Sequence, residues 1–595
     1  MPGSPSRRRA LVALLRPDAK RWVGLGALVA MAQAGALGGP VVVRLVVDRA
    51  TDGTTARTIV VLGLAFLAIA VATQALNVLV VRTATREAWR ITNRLRIDIT
   101  RHVLGLDHEF HRRHTPGELI QRVDGDVTYV SDFLSQVLPK MVGATMLLSG
   151  MLTVLCLLDW RLGVGMVVYL IAAMTVVIRV RHRAVAESSD EMSAYARLYG
   201  GIEERLTAVE DLRANGAEVH AMWRFVEESG GALDSSVRRE RAFIRMWWAL
   251  QVAVTAGSVG SLAISAGLVG RGVITLGTAF LLFQYAQLMT RPLEDLIHQL
   301  ETVQKASGAM RRVVDLIGLQ PSIVDRGTVS PPAGPLGVAA RGVGFSYDTD
   351  TDAQAVLHDI DLTIAPGRSV GVVGRTGSGK TTFSRLLLRL VESTEGELLL
   401  GGVPIGEIPL GELRRRVALV PQEVELFEGT VRDNVTLFDP VASDADVEAA
   451  LRNVGLDALV SAGIDRPLGS AGAGLSAGEA QLLALARVWL RQPDLVVLDE
   501  ATARVDPDTE RRIAAAVTCL MDGRTTFVIA HRLSTLDMVD EIVVFDAGRI
   551  IEHGARAELV RRDGGRFRRL LELALVSDLE RVDDHTATAA QEALA

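Results

Sequence analysis

Long apolar segments alternate with polar, arginine-rich stretches through the first half of the chain. Most of these segments approach the roughly 20 residues that an α-helix needs to cross a bilayer. A buried helix of a soluble protein explains one such segment, but not six in succession. The pattern therefore predicts six membrane spans within residues 21–318, at Trp22–Val47, Thr58–Val81, Met141–Leu158, Leu162–Ile178, Met246–Val269 and Val273–Met289.

The connections between these segments are very uneven. Spans two and three, and spans four and five, are separated by about 60 residues each, whereas the other connections are short. The long connections are rich in arginine, and retained positive charge predicts that they and both termini are cytoplasmic. Few helix-breaking residues occur from Val81 to Leu106 or from Arg179 to Glu228, which predicts two continuous helices extending far out of the membrane.

Polar residues inside the predicted spans are few. Polar groups in a membrane tend to face a cavity or another helix, so each of them either contacts a transported substrate or bonds to a neighbouring helix. The candidates for a substrate cavity are Gln33, Gln74, Gln251, Gln284, Tyr285 and Gln287.

The remaining segments complete the predicted domain organisation. Residues 1–20 are basic, and residues 10–15 suit a short amphipathic helix at the membrane surface or, alternatively, a disordered tail. Residues 319–336 are rich in proline and lack periodicity, which predicts a linker. Strand-type and helix-type patterns alternate in residues 337–575, which predicts an α/β domain, and residues 576–595 form a polar tail.

Composition fits an all-α six-helix transmembrane domain followed by a soluble α/β domain. The 595 residues are 49% hydrophobic with a mean hydropathy of +0.27, although 23% of them are charged. The net charge of −6 gives no reason to expect a nucleic-acid partner. The two cysteines, Cys156 and Cys519, are far apart in the sequence, so no disulfide framework is expected.

The clearest motif in the second half is the glycine-rich stretch GRTGSGKT at residues 374–381. A strand-type run precedes it and a helix-type run follows it, so that backbone N–H groups and a helix N-terminus would face a phosphate group. In this motif the lysine reaches the terminal phosphates and the threonine ligates Mg²⁺. The sequence therefore predicts a site for ATP and Mg²⁺ formed by Gly374, Arg375, Thr376, Gly377, Ser378, Gly379, Lys380, Thr381 and Thr382.

Two further strand-type runs end in residues that suit phosphate chemistry. The run LVVLDE at residues 495–500 ends in two carboxylates, which predicts that Asp499 holds Mg²⁺ and that Glu500 polarises the attacking water. A third run ends before His531, which would contact the γ-phosphate, although a histidine at a strand end also has a purely structural interpretation. Lys380, Glu500 and His531 are the predicted catalytic residues.

Four more motifs complete a resemblance to a known family: FSY at 345–347, VPQ at 420–422, LSAGE at 475–479 and ARVD at 503–506. Over about residues 10–575 the chain resembles an ATP-binding cassette (ABC) half-transporter of the exporter fold. The resemblance implies that Tyr347 stacks on adenine, that Gln422 touches Mg²⁺ and that Asp506 belongs to the D-loop. It also implies that residues 115–119 and 204–218 are the two cytoplasmic coupling regions.

In this family two nucleotide-binding domains close head to tail on two ATP molecules. The resemblance implies that Ser476, Ala477, Gly478 and Glu479 contact the ATP of a partner half-transporter. This stretch departs from the family's LSGGQ because Ala477 adds a Cβ and Glu479 places a carboxylate near a triphosphate. Such a signature beside an intact Glu500 resembles one subunit of a heterodimeric exporter, so we expect a heterodimer. A homodimer stays open because Ser476 and Gly478 remain.

The expected function is ATP-driven export of an amphipathic or hydrophobic substrate, such as a drug, a lipid or a peptide, across a bacterial cell membrane. One alternative is an importer on the same fold, for example for metal chelates. Another is an ATP-gated channel or a regulatory subunit, against which the intact Glu500 argues. A soluble DNA-repair ATPase shares the nucleotide motifs, but the six spans exclude it.

Overall fold

The computed structural model describes residues 18–347, 355–469, 474–499, 507–530 and 533–572. Their contacts divide the chain into two units. The first unit contains the chain up to Gly105 and His114–Gln320, and the second contains Leu106–Arg113 together with the chain from Pro321 onward. The segment Leu106–Arg113 therefore belongs to the second unit although it interrupts the first unit in sequence.

The described residues of the first unit fold into long α-helices joined by short turns. A further short helix, α3 (His108–Arg113), lies in the segment that belongs to the second unit. Helix α4 (Pro116–Leu158) contains two π-helical turns, Gln121–Gly125 and Phe133–Val137. The helices of the first unit are α1 (Ala19–Thr51), α2 (Ala56–Leu104), α4 (Pro116–Leu158), α5 (Trp160–Thr207), α6 (Val209–Ala214), α7 (Glu218–Gly270), α8 (Leu276–Leu288) and α9 (Thr290–Gly318).

Five of the six predicted membrane spans lie within these helices. Among the described residues, α1, α2, α4 and α7 are long and apolar enough to cross a membrane, and α5 begins with a shorter apolar stretch, Trp160–Val176. The sixth predicted span corresponds to α8, which is shorter than predicted because Thr275 caps its N-terminus. The Thr275 hydroxyl accepts a hydrogen bond from the backbone N–H of Thr278 at 3.2 Å.

Of the two predicted helical extensions, the first forms a continuous helix and the second does not. Helix α2 continues from its apolar part to Leu104. The prediction of one helix from Arg179 to Glu228 is wrong, because α5 ends at Thr207 and α7 begins at Glu218. Between them the chain turns at Gly216, whose φ of +63° is in the left-handed region that glycine adopts without steric cost.

Charged pairs join these helices away from their apolar stretches. Arg312 of α9 donates to the carboxylate of Asp126 of α4 through Nε at 2.8 Å and Nη2 at 2.5 Å, and the Asp126 side chain is only 1% exposed. Arg205 of α5 and Glu228 of α7 form a second two-bond pair at 3.0 and 2.8 Å. Because a carboxylate removed from water needs a partner, the buried Asp126 ties α4 to α9 more firmly than the partly exposed Glu228 ties α7 to α5.

The second unit is built on a six-stranded sheet in the order β12-β11-β3-β10-β9-β6, in which all neighbours are parallel except β11 and β12. A four-stranded antiparallel sheet has the order β2-β1-β4-β5, and β7 and β8 form a small pair. The strands are β1 (Val338–Phe345), β2 (Leu357–Ile364), β3 (Ser369–Gly374), β4 (Glu395–Leu400), β5 (Val403–Pro404), β6 (Val417–Val420), β7 (Gly429–Thr430), β8 (Pro467–Leu468), β9 (Leu495–Asp499), β10 (Thr525–Ile529), β11 (Glu541–Asp546) and β12 (Arg549–Ala555).

Helices cover both faces of the parallel sheet. Side chains of β3 alternate between two cores: Val370 and Val372 pack with Phe383 on one face, whereas Val373 packs with Leu483 on the other. The helices of this part of the chain are α10 (Lys380–Leu387), α11 (Leu410–Arg416), α12 (Val431–Thr436), α13 (Asp444–Asn453), α14 (Asp457–Ala462), α15 (Ala477–Arg491), α16 (Pro507–Met521) and α17 (Arg556–Arg561).

Candidate functional site

The glycine-rich stretch forms a turn between β3 and the N-terminus of α10. Gly374, Gly377 and Gly379 have φ angles of +156°, +82° and +103°. A Cβ at Gly374 would overlap the carbonyl group of Phe545, so that position has no space for a side chain. Such a turn presents successive backbone N–H groups toward one point at the positive end of a helix, which is an anion-binding geometry.

Lys380 and Ser378 lie inside this turn. The Nζ of Lys380 donates to the carbonyl oxygens of Gly374 at 2.7 Å and Arg375 at 3.0 Å, and the residue is only 6% exposed. Within the described ranges, the buried Oγ of Ser378 has no hydrogen-bond partner. A buried hydroxyl without a partner is costly unless a ligand satisfies it, so this turn suits phosphate oxygens.

Three neighbouring parallel strands bring other predicted residues to the same edge of the sheet. In the strand register Ile529 of β10 pairs with both Val372 of β3 and Asp499 of β9. Gln422 follows β6, which pairs with β9 up to Leu498. Asp499 is half-buried and Gln422 is exposed. Carboxyl ends of parallel strands meet at one edge, so these side chains share it with the glycine-rich turn.

Three predicted site residues lie outside the described residues. They are the predicted catalytic residues Glu500 and His531 and the D-loop residue Asp506. In the sequence, Glu500 follows the last residue of β9, Asp499, and His531 comes two residues after the last residue of β10, Ile529. Their roles remain predictions.

Tyr347, the predicted adenine platform, is fixed beside the helix that carries Lys380. Its hydroxyl lies 3.2 Å from Oγ1 of Thr382 and accepts a hydrogen bond from Nη1 of Arg385 at 2.9 Å. Its ring packs in a T-shaped arrangement against Phe345, with 4.8 Å between the ring centroids. The ring is therefore held at its edge and at its tip. Of the other predicted nucleotide residues, Arg375 and Thr376 are exposed in the turn, and Thr381 is exposed at the start of α10.

The signature stretch begins α15, as the sequence predicts, and Ser476 is its N-cap residue. Glu479 accepts from the backbone N–H of Ser476 at 2.8 Å, and the Ser476 hydroxyl accepts from the backbone N–H of Glu479 at 3.2 Å. This reciprocal arrangement is a capping box, which stabilises the start of a helix. Ala477 is exposed at the first helical position, and a Cβ at Gly478 would overlap the side chain of Thr509 on α16.

A cavity of 820 Å³ lies within the first unit between α1, α2, α4 and α9. Its lining is amphipathic. The apolar part includes Val29, Val80, Val81 and Leu147, and the polar part includes Gln33, Arg96, Asp132, Lys140, Arg291 and Asp295. Lys140 Nζ lies 3.9 Å from Oδ1 of Asp295. Such a lining can accept a molecule with both apolar and polar groups.

The predicted cavity residues do not share one environment. Gln33 lines the cavity. The hydroxyl of Tyr285, which is fully buried, donates to the carbonyl of Leu37 at 3.2 Å, and Gln287 Nε2 donates to the hydroxyl of Ser258 at 3.1 Å, so these two side chains bond between helices. The other three predicted residues are Gln74, which is exposed on α2, and the half-buried Gln251 and Gln284.

Sequence reasoning missed the charged lining of this cavity. Lys140 and Arg291 flank predicted spans three and six, and charged residues are expected at the ends of spans, where the membrane meets water. The positions of the spans alone therefore could not distinguish charged residues that line a cavity from charged residues at the membrane interface. A usable signal was the rarity of lysine, since the chain contains Lys140 but only three others, Lys20, Lys305 and Lys380.

The fold and the phosphate-type turn together define a helical membrane domain fused to an ATPase domain. Two family models match the chain: "ABC transporter transmembrane region" over residues 22–293 and "ABC transporter" over residues 357–503. The chain belongs to the ABC transporter family. It is therefore a multi-pass membrane protein that binds nucleotide and couples ATP hydrolysis to transport.

Similar proteins agree with this assignment. An ATP-dependent lipid A-core flippase of Pseudomonas fluorescens Pf-5 is 32% identical over 475 residues, which is 79% of this chain and 78% of the relative. A flippase of the same description from Chromohalobacter salexigens is 33% identical over 491 residues, or 80% and 82% of the two chains. The structure of a bacterial Atm1-family ABC exporter with ATP bound matches with a TM-score of 0.79 and 26% identity, covering 93% of this chain and 97% of that one.

Proposed function

We propose that this chain is one half of an ATP-driven exporter that moves an amphipathic, lipid-like molecule across a bacterial cell membrane. The observation that carries the proposal is the amphipathic cavity within the membrane unit, on a chain whose second unit has the phosphate-type turn. The relatives named lipid A-core flippases support a lipid-like substrate, and the resemblance to exporters supports outward transport.

In this proposal the residues around the glycine-rich turn bind ATP. Backbone N–H groups of residues 374–379 and the Nζ of Lys380 hold the phosphates. Ser378, whose hydroxyl has no partner among the described residues, donates it to a phosphate oxygen. To make this contact Lys380 exchanges its two carbonyl partners for phosphate oxygens. Tyr347 stacks on the adenine ring.

The carboxyl ends of β6 and β9 supply the metal-binding side chains. Thr381, Gln422 and Asp499 would hold Mg²⁺, because hydroxyl, amide and carboxylate oxygens are its preferred protein ligands. When bound, the ion neutralises charge that develops between the β- and γ-phosphates. Glu500 orients and polarises the attacking water, and His531 contacts the γ-phosphate.

The second half of each ATP site comes from a partner half-transporter. Ser476, Ala477, Gly478 and Glu479 contact the partner's nucleotide, and Asp506 lies at the dimer interface. The intact Glu500 beside the altered signature favours a heterodimer over a homodimer. The ATPase domain and both termini are cytoplasmic, because arginines concentrate in the long connections.

The cavity binds the substrate. The aliphatic side chains of Val29, Val80 and Leu147 contact its apolar part, while Arg96, Lys140 and Arg291 contact its polar head. Asp132 and Asp295 keep the cavity from being purely cationic. A head group that carries both acceptors and donors fits this lining.

ATP hydrolysis and lipid movement by the purified chain test the proposal. The chain is reconstituted into proteoliposomes with a fluorescent phospholipid, beside Glu500→Gln and Lys380→Ala. In the working dimer, which is this chain alone for a homodimer and this chain with its partner half-transporter for a heterodimer, we expect ATP-dependent movement of the lipid away from the ATPase side. Glu500→Gln in that dimer should lower hydrolysis about 10²-fold or more. Movement toward the ATPase side would overturn export. Hydrolysis that persists in Glu500→Gln would overturn the assignment of the base.

Activity of the chain alone also decides the composition of the dimer. Robust hydrolysis by the purified chain, abolished by Glu500→Gln, indicates a working homodimer. A folded chain that binds ATP without hydrolysing it indicates a heterodimer, and activity should then return when the missing half-transporter is added.

A further inference from the structure

The short segment between α2 and α4 is attached to the nucleotide-binding unit. The carboxylate of Asp107 accepts hydrogen bonds from the backbone N–H groups of Ser322 at 2.5 Å and Ile323 at 3.4 Å. Helix α3 follows directly and ends at Arg113. Two hydrogen bonds to a charged acceptor hold the start of this segment in place.

Within α3, Glu109 orients the guanidinium group of Arg112. The Glu109 carboxylate accepts from Nε of Arg112 at 2.9 Å and from its Nη2 at 2.8 Å, and it also accepts from Nε of Arg113 at 2.9 Å. These hydrogen bonds, first those from Arg112, lower the pKa of Glu109 below its ordinary value, although burial opposes the shift. A two-pronged pair fixes the plane of the guanidinium group.

Arg112 lies over the ring of Tyr347, the predicted adenine platform. The guanidinium carbon is 4.9 Å from the ring centroid. That distance falls within the range of about 4.5–7 Å in which flat aromatic partners stack. The tyrosine ring cannot easily turn away, because its hydroxyl is bonded to Arg385 and its edge packs against Phe345.

We propose that Arg112 and the adenine base use the same face of Tyr347, so that ATP binding displaces Arg112. The proposal rests on the proposed role of Tyr347 in binding adenine. Helix α3 lies in the short segment that joins α2 to α4. Displacement of Arg112 by ATP would therefore act on a segment connected at both ends to helices of the membrane unit. Arg112 is thus a residue that sets the affinity for the base rather than for the phosphates.

The direction in which one substitution changes the affinity for ATP tests this idea. Removing a positive charge near a polyanion should weaken ATP binding, whereas removing a competitor for the base should strengthen it. In the full-length chain without Mg²⁺, we expect Arg112→Ala to lower the dissociation constant for ATP by about 2- to 5-fold, the range of an exposed cation–π contact. Inorganic tripolyphosphate, which has no base, should bind unchanged.

Three variants provide the controls. Arg112→Gln keeps a long side chain without the charge and should reproduce the gain. Arg113→Ala removes the adjacent charge from the same carboxylate and should not strengthen ATP binding. In a Tyr347→Ala background, Arg112→Ala should have no effect on ATP affinity, because the shared ring is missing. Calorimetry on the same preparations measures all of these affinities.

The outcomes separate this proposal from the assignment of Tyr347. Unchanged or weaker ATP binding in Arg112→Ala, or an equal gain for tripolyphosphate, would overturn competition at the ring. If Tyr347→Ala alone leaves ATP and tripolyphosphate affinities unchanged, the adenine platform itself is wrong. A loss of ATP affinity in Tyr347→Ala together with no gain in Arg112→Ala overturns only the role of Arg112.

Discussion

The carboxylate of Glu479 is turned back onto Ser476, the residue that caps its own helix, and accepts hydrogen bonds from the Ser476 backbone N–H at 2.8 Å and from its hydroxyl at 3.0 Å. The residue that departs from the family signature therefore has an intramolecular role in a capping box. Its charge is not simply directed outward toward a nucleotide. The repulsion that the sequence predicts between this carboxylate and a bound triphosphate is therefore smaller than for a carboxylate that points at the nucleotide.

Two substitutions separate the capping role of Glu479 from its charge. Glu479→Gln keeps an acceptor oxygen for the capping box and should leave stability nearly unchanged, whereas Glu479→Ala should lose about 1 kcal/mol, or roughly 2–4 °C in the thermal midpoint. If the partner's ATP lies nearby, Glu479→Gln should also raise hydrolysis about 2- to 5-fold by removing a like charge. Unfolding and ATPase assays on the same preparations check both effects. A midpoint for Glu479→Gln as low as that of Glu479→Ala would contradict the capping box.

Close packing between α15 and α16 depends on the absence of a side chain at Gly478. A Cβ at this position would lie nearest to the methyl carbon of Thr509, so Gly478→Ala should destabilise the fold by about 1–3 kcal/mol. Thr509→Ser removes that methyl group and keeps the hydroxyl, so it should restore most of the loss. Thermal unfolding of the two single variants and the double variant measures this coupling. Additive losses would show that the clash is elsewhere.

Gln33 and Gln287 test which of the polar residues in the spans contacts substrate. Gln33→Ala changes the cavity lining and should alter the concentration of a fluorescent phospholipid that half-maximally stimulates hydrolysis, with little change in stability. Gln287→Ala loses a hydrogen bond to Ser258 and should cost about 0.6 kcal/mol of stability without moving that concentration. The reverse pattern would place substrate at Gln287.

The general fold was accessible from the sequence because its signals are local. Apolar length predicts a span, and a glycine-rich turn between a strand and a helix predicts its own geometry. The interruption at Gly216 was missed because a single Asn-Gly pair in a long polar helical pattern is weak evidence against the surrounding residues. The attachment of Asp107 to Ser322 was not predictable, since the two residues are separated by more than 200 positions.

In the candidate site too, the residues in local sequence motifs were predictable, whereas the contacts between distant segments were not. Lys380 begins the helix after the glycine-rich turn and Asp499 ends a strand, and the motifs around them identify both without any tertiary information. Sequence could not separate Gln33, which lines a cavity, from Tyr285, which bonds to a helix backbone, because both are isolated polar residues in apolar segments. The contact of Arg112 with Tyr347 depends on docking of a distant segment and leaves no periodic signal.

Asp540 should make the stability of the nucleotide-binding unit depend on pH. Its carboxylate accepts from the backbone N–H and the hydroxyl of Ser369, both at 2.9 Å, and these hydrogen bonds lower the pKa of Asp540 below its ordinary value. A lowered folded-state pKa means that the stabilisation is complete above the unfolded-state pKa of about 3.9 and is lost as the pH falls through the folded-state value.

We therefore expect Asp540→Asn to be less stable than the native chain near neutral pH and to approach it below about pH 4. The difference should be about 1 kcal/mol or less, because the Asp540 side chain is 43% exposed and water screens its interactions. Thermal midpoints of both chains across this pH range measure the gap, and Asp522→Asn in an exposed turn controls for the loss of one negative charge. A gap of constant size down to acid pH would show that the stabilisation does not depend on ionised Asp540, because the native chain loses that charge there and the variant never carries it.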